Sequence, residues 1–472
     1  MAGNNGAGDL PVRAIETVRI TATGQQFEPL HNITPYGPPR HVSDYELTTT
    51  WAPARGQAQE DWHLFTIYPF PGTWNFAAVY HRDRGYRRGR DGFRPSAEGA
   101  VAPARIGAVF KNLWLSNPVI LLAHGKALGP TPAHRHGQAY TRRMVAYNGS
   151  YFEVLSDGQT GLPAEVSTRE RDPVEGEVTN RIVFSDWRQI AGIPFPFKLE
   201  QFIDGRLIRR ETRRTIEVDA TGADAVLALP KREPTHPDKA LWDWGWSMSN
   251  FFLRRAAMGG PADNDQSREV RFLEVGPGLY QVLGSSHHNL LIVGPKGLAI
   301  VDAVWYPRRS RTILARLKER WPGKPLKYVI LTHHHPDHTG GLAPFAAAGA
   351  RIVVARVNAP YFSRILAKTT AGPVDLIAVD RKGAMDAIGR RIEAYDIPSS
   401  HADGSLAIYV PDAKLLFNAD LFSPGRKAQS RLWSSELLRA IDFYGLDVAW
   451  HVGGHGHGKA PHQQLIDTAA GR

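Results

Sequence analysis

KYVILTHHHPDHTGG, residues 327–341, decides the reading of this chain. KYVIL (327–331) is an apolar run of strand length, and the stretch HTGGLAPFAAAG (338–349) begins a helix soon after Asp337. Thr332-His333-His334-His335-Pro336-Asp337-His338 therefore lies in a strand-to-helix loop, at the carboxyl end of a strand, where α/β sheets place their sites. Alternation sends His333 and His335 to one side and His334 to the other, with Asp337 and His338 following on the turn. Such a loop offers ligands to two adjacent cations. Imidazole and carboxylate suit zinc and also accept iron or manganese. A His-rich loop that binds nothing is the bland alternative, but this density of ligating groups directly after a buried strand has little other use.

Working outward, the chain from 269 alternates apolar runs with helical patterns. VRFLEVGPGLYQVLG (270–284) and NLLIVGPKGLAIVDA (289–303) read as strands, and SRTILARLKERWPG (310–323) as a helix with Gly323 as its C-cap. Strands alternating with helices predict a layered α/β domain. The chain has no cysteine, so any metal must be held by His and carboxylate.

The H-x-H-x-D-H pattern resembles the signature of the metallo-β-lactamase superfamily, and the rest of that family's pattern follows in order. His401 stands in IPSSHADGSLAIYV (397–410), Asp420 in KLLFNADLFSP (414–424) and His455 in VGGHGHG (452–458). The resemblance covers the C-terminal half and implies an αββα sandwich with two zinc ions per chain. It implies His333, His335 and His401 on the first metal, Asp337, His338 and His455 on the second, and Asp420 bridging. Gly453-Gly454-His455 departs from the family's Pro-Gly-His, so His457 competes with His455 for the last position, and His451 lies close by. The cysteine that some members use is replaced by Asp420. His287 and His288 precede the strand NLLIV; His288 is expected either to face the substrate or support the ligands, or to make a structural hydrogen bond. Asp302 is expected to orient a ligand loop through hydrogen bonds.

The implied activity is hydrolysis of an ester, lactone, thioester or lactam-type bond in a small-molecule substrate. A bridging hydroxide attacks, and Asp337 orients the nucleophile or passes a proton. Competing readings are an iron-dependent sulfur dioxygenase or other redox member of the fold, and a nuclease or phosphodiesterase. The net charge of +11 invites the nuclease reading. However, the basic residues are scattered as on a solvated surface, and no clamping insertion separates His401 from Asp420.

A length of 472 residues suggests two or three domains. Residues 1–232 read as a β-rich domain, 233–268 as a linker with a Trp-rich helix carrying Trp242, Trp246 and Phe252, and 269–472 as the catalytic domain. In the first of these, YELTTTW (45–51), HLFTIYPF (63–70) and WNFAAVYH (74–81) alternate as strands do. RDRGYRRGR (82–90) reads as a hairpin loop, and His124, His134 and His136 as surface or loop residues. Asp204-Gly205 is a two-residue hairpin signal, and Pro194 and Pro196 confine their strand to an edge or a strand start. FSDWRQIAGIPFPFKLEQFIDGRLI (184–208) resembles the hairpins of lipoprotein-localisation-factor-like half-barrels. That resemblance implies a hydrophobic or lipid-like ligand and an exported, periplasmic protein whose signal has been removed. A homodimer contact or a cover over the cleft is the alternative role for this domain, and the cytoplasm the alternative location. No apolar run is long enough for a transmembrane helix.

Overall fold

A computed structural model describes residues 15–231 and 269–472, apart from 69–70, 91–97, 102, 148, 173 and 427–428. The expected Trp-rich helix, with Trp242, Trp246 and Phe252, lies outside the described residues. The chain forms two compact units. The first holds 15–29, 38–172 and 177–231, and the second holds 269–472 together with two short segments, 30–37 and 174–176.

In the first unit, fourteen strands form one sheet in which the N-terminal strand Val18–Glu28 sits between Arg40–Ala52 and the late strand Arg206–Val218. Ile106, Val109, Leu113 and Trp114 of the helix Pro103–Ser116, with Val119, Ile120 and Leu121 of Pro118–His124, pack on inward residues such as Trp51, Val145, Phe152 and Phe195. Asp204 and Gly205 both have positive φ, 45° and 80°, and connect Ile193–Ile203 to Arg206–Val218 as the hairpin signal predicts. Pro194 and Pro196 pair with Gln189 and Trp187 on one side, while the ladder on the other side begins only at Lys198. The prolines thus stand at a strand start, where no N–H is wanted.

RDRGYRRGR is a loop only in part. Residues 82–84 turn, and Gly85–Gly89 forms a strand on Gly72–His81, because Tyr86 and Arg87 alternate across the sheet and Arg87 is buried. His134 and His136 are exposed, whereas His124 ends a helix half-buried, 5.8 Å ring to ring from Trp114. No single helix among the described residues is long and apolar enough to cross a membrane.

The second unit is built of four layers. A seven-stranded sheet runs in the order 271–276, 279–283, 289–294, 297–301, 326–330, 351–355, 376–379. The first four strands are an antiparallel meander, and the last four are mutually parallel. A six-stranded sheet follows in the order 382–385, 392–397, 405–410, 415–418, 450–453, 459–461. Strands buried on both faces explain the unbroken apolar runs. In Gly297–Val301, Leu298 and Ile300 face the helix side with Ile313, Phe345 and Phe362, while Ala299 and Val301 face Ile408, Phe417 and Val452 of the other sheet. The far face of the second sheet, with Ala407 and Leu416, packs on Leu437, Ile441 and Leu465. This helix–sheet–sheet–helix arrangement is the αββα sandwich expected for the C-terminal half.

The helix expected over 310–323 spans Pro307–Arg320 and closes at Trp321, not Gly323. Pro307 at its first turn starts it early, and Pro322 disfavours helical geometry at the residue before it. Gly323 instead takes φ +79° in the turn that follows.

On the strand Trp450–Gly453, alternation sends Val452 between the sheets and His451 to the other face. There His451 Nε2 lies 2.9 Å from His462 Nδ1, and burial, with the His462 charge beside it, pushes the His451 imidazole down to about 3. Since the unfolded chain binds this proton near pH 6.5, stability is lost as pH falls from about 6.5 towards 3. The urea midpoint is therefore expected to fall less steeply between pH 6.5 and 4 in His451→Gln than in the parent. Equal slopes would show that His451 does not contribute.

Candidate metal centre

Six strands present their loops at one end of the two sheets. Gly297–Val301 leads to Asp302, Leu326–Ile330 to His333–His338, Leu415–Asn418 to Asp420 and Trp450–Gly453 to His455, all at carboxyl ends. Ser405–Val410 runs antiparallel to Leu415–Asn418, so His401, which precedes it, arrives at the same end. His287 likewise precedes Asn289–Gly294, antiparallel to Gly297–Val301. Strand direction alone thus gathers residues scattered over more than a hundred positions.

Asp420 is the centre of the cluster. Its Oδ2 lies 2.8 Å from His401 Nε2 and 3.4 Å from His333 Nε2, while its Oδ1 lies 2.8 Å from His455 Nε2 and 3.1 Å from His338 Nε2. His333, His335, His401 and Asp420 form one group whose ligand atoms lie within 4.8 Å of each other; His287, His338 and His455 form a second. A third joins His335 and Asp337 to His31.

Hydrogen bonds behind the cluster fix which nitrogen each ring offers. His338 Nδ1 donates to Asp302 Oδ2 at 3.0 Å, which leaves Nε2 as the nitrogen that faces the cluster. His455 Nδ1 faces the Ser286 carbonyl at 3.2 Å, and a carbonyl only accepts, so Nε2 is again the free nitrogen. Thr332 Oγ1 gives its one proton to Asp302 at 2.8 Å and so accepts from His333 Nδ1 at 3.1 Å, freeing His333 Nε2. His335 is turned the other way: Nε2 donates to the Asn32 carbonyl at 2.9 Å and Nδ1 is left.

The outcome is a tight convergence of ring nitrogens and carboxylate oxygens that needs positive charge between them. His338 Nε2 and Asp420 Oδ1, though 3.1 Å apart, make no hydrogen bond with each other or with any other group among the described residues. Buried polar atoms are normally satisfied, and a cation between them satisfies both. The donor set of imidazole nitrogens and carboxylate oxygens fits zinc and related divalent ions.

The titration directions show the same demand for positive charge, which a proton on His338 meets where no cation lies. Burial alone would raise the Asp420 carboxyl, but the charges of His338 and His455 and the bond from His333 hold it well below its usual range. Burial would lower His338, yet the Asp420 and Asp337 charges and the bond to Asp302 push it well above an ordinary imidazole. His333 falls to about 4, chiefly through burial. The site attracts positive charge.

Asp302 organises this end of the sheet. Its carboxylate accepts from the Thr332 amide and hydroxyl, both at 2.8 Å, and from His338. It does so from a left-handed backbone, φ 65°, a conformation that costs an L-residue roughly 1–3 kcal/mol. Gly340 is required beside it, since a Cβ there would run into the Trp305 carbonyl. On the opposite wall, a Cβ on Gly454 would come within 2.9 Å of the Ala419 backbone, so the Gly453-Gly454 turn lets His455 close on Asp420.

Among the residues singled out from the sequence, His333, His335, Asp337, His338, His401, Asp420 and His455 are all brought to this end. His457 is not in these groups; it packs on His288 at 5.0 Å between ring centroids. His288 also stands outside them, and its amide donates to the Gly454 carbonyl. Its neighbour His287 is the one that joins, with Nε2 3.0 Å from Asp337 Oδ2 and its ring 4.2 Å from that of His455. His287 lies in the Ser-Ser-His-His loop ahead of the strand, where period-two alternation gives no direction. Sequence reading missed His31 altogether: its Nε2 lies 3.2 Å from Asp337 Oδ1, across 306 positions of chain.

Residues 282–456 match the family model described as the metallo-beta-lactamase superfamily. The alpha subunit of 2,4-dinitroanisole O-demethylase from Nocardioides sp. (strain JS1661) is 28% identical over 177 residues, 35% of this chain and 52% of that protein. Hydroxyacylglutathione hydrolase from Albidiferax ferrireducens is 32% identical over 140 residues, 29% of this chain and 49% of that protein. The chain thus spans about half the length of these curated relatives. The solved metallo-beta-lactamase from Pontibacter korlensis aligns with 43% of this chain and 98% of its own, at 19% identity and a TM-score of 0.35.

Asp302→Asn can keep Oδ1 for the Thr332 amide and hydroxyl, but it removes the charge and the Oδ2 acceptor that face His338 Nδ1. A chelator-competition titration is expected to show divalent-metal affinity weakened by about 10–100-fold. Unchanged affinity would show that the carboxylate serves the fold alone.

Proposed function

Residues 282–456 are a metallo-β-lactamase-fold region, and from that premise we propose that the chain is a metal-dependent hydrolase with a dinuclear zinc site. The observation that carries the proposal is the convergence of four imidazoles on Asp420, with His338 Nε2 and Asp420 Oδ1 3.1 Å apart and in no hydrogen bond. In this reading His333 and His401 through Nε2, and His335 through Nδ1, hold the first ion. Asp337, His338 and His455 hold the second. Asp420 serves both, because its two oxygens face different histidine pairs.

Two such ions, when bound, supply an acidified water at neutral pH and polarise the bond to be cleaved. The remaining work falls to the chain. Asp302, Thr332, Asn32 and Ser286 fix which nitrogen four of these rings present, so none of them has to turn over. His338, whose hold on a proton is raised, gives that proton up when a cation binds. Asp337 is kept anionic: burial opposes this, but the His31 and His338 charges and the N–H groups of His287 and His31 outweigh it. Those two donors occupy two of about four lone-pair sites on a carboxylate, so Asp337 can still accept a hydrogen bond from an attacking water and orient it. The near-complete burial of His333, His335 and His338 keeps bulk water from competing.

For the bond cleaved, the proposal is an ester-type linkage: a carboxylic ester, lactone or thioester. The similarity to a hydroxyacylglutathione hydrolase supports this class. A screen of p-nitrophenyl esters, lactones and thioesters, with metal analysis, tests it. The parent is expected to hydrolyse at least one class and to hold two divalent ions per chain. Asp420→Ala is expected to lose metal and at least about 10²-fold in kcat, as the positioned ions supply several kcal/mol. Full activity in metal-free Asp420→Ala would sink the scheme.

A further inference from the structure

One segment outside the matched region 282–456 reaches into the donor cluster. Residues 30–37, LHNITPYG, belong to the second unit although they interrupt the first one's sheet strands in the chain. They are anchored there. Leu30 joins the core with Val329, Phe345 and Ile352, and Tyr36 meets the Tyr361 ring edge-on at 6.0 Å. Asn32 Nδ2 closes the turn on the Gly37 carbonyl at 3.0 Å.

Three consecutive residues of this segment then contact the two loops that bear most of the ligands. His31 Nε2 lies 3.2 Å from Asp337 Oδ1, the Asn32 carbonyl accepts from His335 Nε2 at 2.9 Å, and the Ile33 carbonyl accepts from the Asp403 amide at 2.7 Å, two residues beyond His401. His31 is 1% exposed, its ring 4.8 Å from that of His335. A buried carboxylate gains most from charge-assisted or fixed N–H donors, and Asp337 has one on each oxygen, His31 on Oδ1 and His287 on Oδ2.

We propose, building on the two-metal reading, that His31 and Asn32 are positioning residues of the metal centre. Asn32 locks His335 as the tautomer that presents Nδ1, and His31 holds the Asp337 carboxylate at the second metal position. Part of the metal affinity is then built from a segment that the family pattern does not contain. Partners of this kind behind metal ligands are worth about 10–100-fold in affinity.

The test uses the full-length chain as parent, His31→Ala, His31→Gln and His31→Asn. Each is measured by chelator competition for zinc and by the visible absorption spectrum of the cobalt-substituted protein. His31→Ala is expected to lose about 10–100-fold in affinity for one of two ions and to change the cobalt spectrum. Gln carries its N–H about as far out as imidazole Nε2 and is expected to restore most of both, whereas the shorter Asn is not. Parent-like affinities and spectra in all three variants would overturn the inference and leave the two-metal reading standing. If His31→Ala does not fold, the comparison of Gln with Asn decides, and equal affinities overturn it. A parent chain that binds no divalent metal would instead overturn the two-metal reading, and this inference with it.

Discussion

Everything at the functional end of the second unit depends on one largely covered carboxylate, Asp420, which gathers four imidazoles and demands positive charge among them. Asp420 faces four imidazoles, and at least three of those rings have spent their N–H on a group behind them: Asp302 for His338, Thr332 for His333, Ser286 for His455. What remains pointing at Asp420 is a set of ring nitrogens that can take a cation or, as the raised His338 shows, a proton. In a low-dielectric interior this convergence is unfavourable unless positive charge lies between. The fold supplies the rigidity that keeps these groups facing one another, since each sits within eight residues of the end of a strand buried in the sandwich.

The supporting groups are as specific as the ligands. Asp302 accepts three hydrogen bonds from an uncommon backbone conformation, and His335 alone is turned to offer Nδ1. Gly340 and Gly454 are needed because the loops approach other backbone too closely for a side chain. The sequence text around the histidines is thus explained by packing as much as by coordination.

How much of this is legible in the sequence depends on whether a signal is local. The layered α/β half is legible because strands buried on both faces leave unbroken apolar runs, and the loop 332–338 because its ligands lie side by side. The helix Pro307–Arg320 is harder to delimit. Its first turn is Pro-Arg-Arg, and Arg309 is wholly buried only because its guanidinium bonds to the carbonyls of Glu269, Val282 and Leu283. His401, Asp420 and His455 follow from the order of a family pattern, not from their own neighbourhoods. His31 is illegible: nothing in LHNITPYG suggests a partner about three hundred residues away, and only the folded chain brings it to Asp337. His287 against His288 is a choice that a loop without periodicity does not make.

The most direct measurement is an anomalous-scattering difference map at the zinc edge from crystals of the metal-loaded, full-length chain. The account predicts two peaks about 3.5–4 Å apart astride the Asp420 carboxylate. His335 should coordinate through Nδ1, and His333, His338, His401 and His455 through Nε2. A single peak, peaks away from Asp420, or a loaded protein in which His338 Nε2 and Asp420 Oδ1 share a proton instead of a metal would contradict it.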